Sequence, residues 1–186
     1  RAQRHDFLNH LQVVYSLIEM KDYKEANEYI EKVYGSIASL GKVLRTANPA
    51  INALLQVKLA ACEKAGIQVT LNIRSAWKNL PIPGWEMCKV LGNLLENALR
   101  ASERLPEAMR RVSVICHMLS PAMMGLIVEN RYDGQLSRRE GKLLSTSHPG
   151  FGTGLLSVET VTKKYHGQMT VETENGVFRV NVLLNL

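Results

Sequence analysis

A histidine beside an acid stands near the start of the 186-residue chain. His5 is followed by Asp6, and Asn9 comes four positions after the histidine. On a helix, His5 and Asn9 share one face, because residues four apart are separated by one turn. An exposed neutral imidazole can attack a phosphorus atom, and an adjacent carboxylate can hold the ring tautomer or accept its proton. Taken alone, these residues are better explained as a surface histidine beside an acid.

A second polar group lies on a predicted helix. Asn93, Asn97 and Arg100 are separated by four and three residues, which places them on one side of that helix. Carboxamide oxygens are hard ligands that can contact Mg²⁺ or its bound waters, and an arginine can pair with a phosphate. A stripe of solvated polar side chains would show the same spacing.

A glycine-rich turn precedes the last predicted helix. It reads Gly150-Phe151-Gly152-Thr153-Gly154-Leu155. Glycines let backbone amides approach phosphate oxygens closely, and a helix N-terminus favours an anion. The turn lacks the lysine of a P-loop, which excludes a Walker-type site. By itself the turn is weak evidence, since many glycine-rich turns only interrupt a chain.

The composition restricts the class of protein. Hydrophobic residues make up 46% and charged residues 22% of the chain, which is typical of a folded domain. The apolar runs are shorter than the roughly 18 residues that span a bilayer, and no signal-peptide pattern is present. The formal charge of +6 suits a polyanionic partner. Because the basic residues are dispersed and few aromatics lie between them, we do not expect a nucleic-acid partner.

The cysteines indicate the compartment. Cys62, Cys88 and Cys116 lack metal-ligand spacing and are odd in number. We therefore expect buried thiols in a reducing, cytoplasmic environment.

Two helices are predicted in the first 44 residues. Apolar residues recur there at steps of four and three: Phe7, Leu11, Val14, Ile18, then Ala26, Ile30, Val33, Ile37, Leu40 and Leu44. This narrow seam is typical of helices in a bundle. Asp22 and Glu25 form the expected capping pair of the second helix. Because two short helices bury little surface, we expect a dimer with a four-helix bundle, although packing on the chain's own globular domain is an alternative.

From residue 47 the pattern predicts an α/β domain. Asn48-Pro49 begins a helix that ends near Gly66, and Asn175-Gly176 is a hairpin turn. Further helices are expected at 85–102 and 153–165, and strands at 67–73, 111–119, 123–130, 169–173 and 177–184. Residues 131–149 show no period and are predicted to form a long, mobile loop. The expected fold class is α+β, with a helical hairpin at 1–46 and an α/β sandwich with a mixed sheet at 47–186.

The order of the three polar groups resembles that of sensor histidine kinases, members of the ATPase superfamily shared with DNA gyrase and Hsp90. Segment 4–11 is similar to the phosphoacceptor box of the subgroup that includes the sporulation phosphotransferase and the citrate and fumarate sensors. Segment 93–98 resembles the N box, in which the second asparagine, here Asn97, contacts Mg²⁺. Segment 150–155 resembles the second glycine box, which closes on the ATP phosphates.

One motif departs from the family pattern. The family carries Asp-x-Gly-x-Gly after the strand that reaches the adenine, and its aspartate accepts the exocyclic amine. Here Asn130 occupies that place, and Asp133-Gly134 follows three residues later. A carboxamide oxygen can accept the same hydrogen bond, but without charge. The resemblance therefore predicts modest ATP affinity and loose purine selection.

The resemblance implies a kinase that uses ATP and Mg²⁺. Asn97 would hold Mg²⁺, while the phosphates would contact Asn93, Arg100 and the glycine-box residues Gly150, Gly152, Thr153, Gly154 and Leu155. His5 would attack the γ-phosphorus and pass the phosphoryl group to an aspartate of a response regulator, and Asn9 would orient a water that later removes it. We expect a homodimer that forms the cytoplasmic end of a longer sensor, with any membrane anchor outside this chain.

Two alternatives belong to other classes. A phosphotransfer module without kinase activity would share the first helix, but the sporulation phosphotransferase lacks a recognisable glycine box, so segment 150–155 favours the kinase. A gyrase-type ATPase needs a carboxylate base to activate water. Asn93 stands where such enzymes carry a glutamate.

Overall fold

The computed structural model describes residues 2–34, 46, 48–73, 80–139, 142–144 and 153–186. The chain divides into two units, residues 1–40 and residues 41–186. The first unit is helical, and the second combines helices with a sheet. No helix in these described ranges is long and apolar enough to cross a membrane.

The first unit is a helical hairpin of α1 (Ala2–Glu19) and α2 (Tyr23–Tyr34). Lys21 adopts a left-handed conformation (φ 58°) at the connection. The Asp22 carboxylate accepts a hydrogen bond of 3.1 Å from the backbone amide of Glu25, which confirms the predicted cap. The part of the predicted seam after Tyr34 lies outside the described residues.

The predicted apolar seam is only partly covered within one hairpin. Ala26 is buried, and Val14 and Ile30 are half-buried. Four other apolar side chains of α1 are between 47% and 65% exposed; they are Leu8, Leu11, Tyr15 and Ile18. Because they are spaced by three and four residues, they form one exposed apolar stripe along the helix.

The second unit is an α/β sandwich. Its helices are α3 (Pro49–Lys64), α4 (Gly84–Glu103) and α5 (Thr153–Lys164), with a 3₁₀ turn at Glu107–Met109. Its strands are β1 (Gln68–Ile73), β2 (Arg111–Ser120), β3 (Met123–Arg131), β4 (Ser137–Arg139), β5 (Lys142–Leu144), β6 (Gln168–Glu174) and β7 (Val177–Asn185). In the described part of the chain, the main sheet has the order β1-β2-β3-β7-β6. Strand β1 is parallel to β2 and the other pairs are antiparallel, so the sheet is mixed and the predicted fold class is confirmed.

The core lies between one face of this sheet and the helices. Alternate residues of the central strands point to that face, among them Val114, Leu126 and Val182, and all three are buried. Helix α4 covers the middle of the sheet with Met87 and Leu91, which are fully buried. A fully buried side chain of this size stabilises the fold by about 1.5–3 kcal/mol. Cys62 and Cys116 belong to the same core, as predicted, whereas Cys88 is only half-buried.

Local sequence signals begin and end the elements as expected. The Asn48 carboxamide accepts hydrogen bonds from the amides of Ala50 (3.1 Å) and Ile51 (3.3 Å) at the start of α3. Asn175 and Gly176 both have positive φ, 50° and 72°, as a type I′ hairpin requires.

Arg110 joins the ends of two helices, which sequence reasoning did not predict. Its guanidinium donates to the carbonyl oxygens of Ala65 (2.6 Å), Leu105 (2.9 Å) and Glu103 (3.3 Å). These carbonyls lie where α3 and α4 end, and carbonyls at helix ends need partners from outside the helix. One cation therefore supplies hydrogen-bond donors to carbonyls at both helix ends.

The prediction of a structureless loop at 131–149 is wrong in part. Strand β3 extends to Arg131, and β4 and β5 pair as a small antiparallel hairpin. Strands of three residues are too short to show an alternating pattern, which explains why the sequence did not reveal them. Residues 140–141 and 145–149 lie outside the described ranges.

Candidate functional site

The start of α5 lies against the polar stripe of α4. A Cβ added to Gly154 would be 3.2 Å from Asn93 Oδ1, 3.4 Å from Asn97 Nδ2 and 3.5 Å from Asn97 Oδ1. Asn97 is exposed and Asn93 half-buried. The structure therefore brings both asparagines of the predicted helix next to the last glycine of the predicted turn.

Packing of α4 explains this arrangement. The helix buries Leu91, Leu94 and Ala98 against the sheet. Residues 93, 97 and 100 lie on a different side of the helix, because 100° separates successive side chains. Asn93 and Asn97 on this side lie beside the start of α5.

An ion pair between the buried Glu86 and the exposed Lys164 joins α4 and α5 at their other ends. The Glu86 carboxylate, 4% exposed, lies 2.7 Å from Lys164 Nζ and accepts a further hydrogen bond from the Tyr165 hydroxyl. These two donors, Lys164 foremost, lower the pKa of Glu86. A carboxylate that is withdrawn from water needs such partners, so this contact links the start of α4 to the end of α5.

The carboxamide of Asn93 has a defined orientation. Its Nδ2 donates to the carbonyl oxygen of Lys89 at 2.7 Å. Its oxygen is the atom nearest to the position of a Cβ on Gly154. The site edge at Asn93 is therefore an acceptor, which suits a donor such as a metal-bound water.

Arg100 is engaged by a carboxylate on its own helix. Its Nε lies 2.9 Å from Glu96 Oε1, and Lys58 Nζ of α3 lies 2.5 Å from Glu96 Oε2. The hydrogen bond from Lys58 lowers the pKa of Glu96 most, and it outweighs the opposing effect of burial; the charge of Lys58 and the hydrogen bond and charge of Arg100 lower the pKa further. Sequence reasoning missed Glu96, although its spacing of four residues from Arg100 was a usable signal.

Asn130 lies near the end of β3 and is 5% exposed. It alternates with Leu126 and Val128 on the face that the helices cover. Its Nδ2 donates to the carbonyl oxygen of Arg131 at 2.9 Å, so its carboxamide oxygen is the atom that can accept from a ligand. The hydroxyl of Ser102 on α4 donates to the same carbonyl at 3.4 Å, which ties α4 to this strand end.

The glycine-rich turn is described only from its fourth residue, Thr153, onward. Gly150 and Gly152 lie outside the described residues. Thr153 is exposed at the first position of α5, whereas Leu155 is partly buried against the core. Leu155 thus has a packing role in addition to its predicted place in the site.

Helix α1 carries the predicted phosphoacceptor segment. His5 and Asp6 are helical, but their side chains lie outside what the structure describes, and Asn9 is exposed. His10 does not extend that exposed face, because its Nδ1 is hydrogen-bonded to the Tyr29 hydroxyl of α2 at 2.9 Å.

Two family models match the chain. The model described as the alpha-helical domain of SpoOB-type sensor kinases matches residues 1–46. The model described as the GHKL domain matches residues 84–185, more than half of the chain.

Two relatives that match most of this chain are named as sensor kinases. The sensor histidine kinase DcuS of Escherichia coli strain K12 is 30% identical over 191 residues, which cover 96% of this chain and 34% of that protein. A probable C4-dicarboxylate sensor kinase of Halalkalibacterium halodurans is 23% identical over 185 residues, covering 94% of this chain and 34% of the relative. The chain thus spans about a third of the length of these relatives.

Solved structures share the fold. The histidine kinase domain of the blue-light-activated histidine kinase EL346 from Erythrobacter litoralis matches with a TM-score of 0.56 at 14% identity, covering 100% of this chain and 95% of that one. The catalytic domain of the histidine kinase ThkA matches with a TM-score of 0.59 at 16% identity, covering 75% of this chain and 92% of that one.

Proposed function

Because the chain belongs to the GHKL family and carries the domain pair of SpoOB-type sensor histidine kinases, we propose that it is a kinase core that phosphorylates its own His5 from Mg-ATP. Residues 1–46 would form the dimerisation and phosphotransfer hairpin, and residues 47–186 the ATP-binding domain. The phosphoryl group would pass to an aspartate of a response regulator.

The proximity of Gly154 to Asn93 and Asn97 is the observation that carries this proposal. A glycine at the start of α5 leaves open the space that a Cβ would fill beside both carboxamides. Phosphate oxygens suit this position, because the first amides of a helix have no partner within the helix and point outward. Gly150, Gly152, Thr153 and Leu155 would contribute backbone amides from the same turn.

The donor set also fits a hard cation. Asn97 is exposed beside Gly154, and its carboxamide oxygen would hold Mg²⁺. When bound, Mg²⁺ neutralises negative charge on the phosphates. Asn93 would accept a hydrogen bond from a water of that ion, and Arg100 would pair with a phosphate oxygen.

The purine would contact Asn130. Its carboxamide oxygen can accept a hydrogen bond from the exocyclic amine of adenine, while its nitrogen is retained by Arg131. A neutral acceptor attracts that amine less strongly than a carboxylate does, so we expect modest affinity for ATP.

On the hairpin, His5 would attack the γ-phosphorus in line, with Asp6 holding the ring tautomer. Asn9 lies one turn further along α1 and is exposed, so a docked regulator can meet it. Its carboxamide would orient a water toward the aspartyl phosphate, which would make the protein a phosphatase as well.

The surface of the hairpin supports pairing with a second copy of the chain. The exposed apolar stripe of α1 suits a second copy of the hairpin, since pairing would bury it in a four-helix bundle. We propose that the chain works in the cytoplasm, where a response regulator is available, with any membrane attachment through other parts of the protein.

Autophosphorylation tests this function. The purified chain should incorporate acid-labile phosphate from γ-labelled ATP, and His5→Gln should abolish labelling while Mg-ATP binding stays near normal. Full labelling of His5→Gln, mapped to His10 or another histidine, would refute the assignment. A chain that takes no label from ATP, yet accepts phosphate from a phosphorylated regulator, would be a phosphotransfer module instead.

A further inference from the structure

Arg100 is on α4 near two residues that face different helices. Glu96 contacts Lys58 of α3, whereas Asn97 lies beside Gly154 of α5. Arg100 follows Glu96 by four residues and Asn97 by three, and helix neighbours at both spacings are within reach of a long side chain. Its guanidinium can therefore turn toward α3 or toward the start of α5.

In this structure the guanidinium is turned toward Glu96. Each oxygen of that carboxylate has its own cation, with Arg100 Nε at 2.9 Å from Oε1 and Lys58 Nζ at 2.5 Å from Oε2. The Lys58 side chain is 22% exposed and that of Arg100 50% exposed. Arg100 is thus the more solvated partner and the easier one to release, and Lys58 would still neutralise the carboxylate after that release.

We propose that Glu96 is a positioning residue that withholds Arg100 from the nucleotide phosphates in the free protein, while Lys58 makes the release of Arg100 possible. This inference rests on the proposed function, in which Arg100 pairs with a phosphate. A ligand can shift such an equilibrium only through its different affinity for the two arrangements. Part of the binding free energy of Mg-ATP is therefore used to break the Glu96–Arg100 pair.

If Glu96 withholds Arg100, Glu96 lowers the affinity of the chain for Mg-ATP. Glu96→Gln keeps the shape of the side chain but removes the charge that holds Arg100. We expect Mg-ATP to bind about twofold to fivefold more tightly, the order expected when one exposed ion pair no longer competes. In autophosphorylation the KM for ATP should fall by a similar factor with little change in kcat, since only binding is affected.

A double-variant cycle shows whether Glu96 acts through Arg100. Arg100→Met should weaken Mg-ATP binding roughly tenfold, as expected for the loss of a charged hydrogen bond to phosphate. Glu96→Gln should then give no further gain in the Arg100→Met background. A gain that persists there would mean that Glu96 merely repels the phosphates, which overturns the proposal.

A second variant tests the part of Lys58. Lys58→Met leaves Arg100 as the cation bound to Glu96, so Mg-ATP affinity should fall. In the Glu96→Gln background this loss should disappear. A loss of equal size in both backgrounds would contradict the role of Lys58.

The matched control is Glu159→Gln on α5, which removes an i,i+4 pair with Lys163 at 2.8 Å and with the same 37% exposure of the glutamate. Its Mg-ATP affinity, measured by calorimetry, should equal that of the unmodified chain. If the unmodified chain binds Mg-ATP and Glu96→Gln binds it equally well or more weakly, this inference is overturned and the proposed function is not. Absence of binding by the unmodified chain would contradict the proposed function and the inference together.

Discussion

Gly154 lies so close to Asn93 that a Cβ at position 154 would come within 3.2 Å of Asn93 Oδ1. Gly154→Ala should therefore push the start of α5 and the asparagine apart and obstruct the phosphates. We expect Mg-ATP binding to weaken by roughly tenfold or more, with little loss of stability, because alanine is the better helix former. Calorimetric titration with Mg-ATP measures the effect.

Gly92→Ala is the control for that experiment. A Cβ on Gly92 of α4 would meet Leu54 at 3.7 Å, an ordinary contact. Nucleotide affinity should be unchanged in this variant. If both alanine variants bound Mg-ATP equally weakly, any added methyl group on these helices would impair binding. The assignment of Gly154 to the phosphate site would then be wrong.

Asn130→Asp should tighten binding of ATP relative to GTP, since a carboxylate attracts the exocyclic amine of adenine more strongly than a carboxamide does. The substitution also removes the donor to the carbonyl of Arg131 and buries a charge. We therefore expect a free energy of unfolding lower by about 1–3 kcal/mol without nucleotide. Thermal melting with ATP, with GTP and without ligand separates the two effects; weaker ATP binding would mean that Asn130 does not contact the purine.

The buried Glu86 predicts how stability depends on pH. Bonds from Lys164 and Tyr165 lower its pKa below the ordinary value of 4.5, so the unfolded chain binds a proton more readily than the folded one. The stabilising contribution is complete above about pH 5 and is lost as the pH falls through the folded-state pKa. Glu86→Gln should be less stable at pH 7 and should lose less stability on acidification. The measurement is chemical unfolding between pH 7 and the acid range, with Glu159→Gln as control; parallel curves for Glu86→Gln and the unmodified chain would contradict the prediction.

Asn9→Ala should separate the two proposed activities of the hairpin. Labelling of His5 and transfer to a receiver domain should persist, because Asn9 takes no part in either step. Phosphate on the receiver should last longer than with the unmodified chain, as the water is no longer oriented. Ser16→Ala, on the same face about 10 Å further along α1, is the control. Equal decay with all three proteins would refute the phosphatase role and leave the kinase proposal intact.

Local sequence patterns predicted much of the fold. The cap at Asn48, the end of α3 near Gly66 and the hairpin at Asn175-Gly176 are interactions between residues at most a few positions apart. Such interactions depend on residue type and spacing, which a sequence displays directly. For the same reason the three central strands of the sheet, β2, β3 and β7, were placed within one residue of their bounds.

Contacts between distant residues could not be read in this way. Arg110 bonds to Ala65, 45 positions earlier, and Glu86 bonds to Lys164, 78 positions later. Nothing in the local pattern of either residue distinguishes it from an ordinary exposed charge. Which partner it meets depends on how α3, α4 and α5 pack on the sheet.

The candidate site depends on both local sequence patterns and contacts between distant residues. The sequence by itself determined the chemistry of the site. It shows directly that Asn93 and Asn97 are four residues apart and that glycines precede α5. Only the tertiary structure decided that Gly154 lies against both asparagines and that Lys58 of α3 pairs with Glu96 of α4. The physical reason is that α4 buries one face against the sheet, and this leaves its polar side to whichever helices flank it.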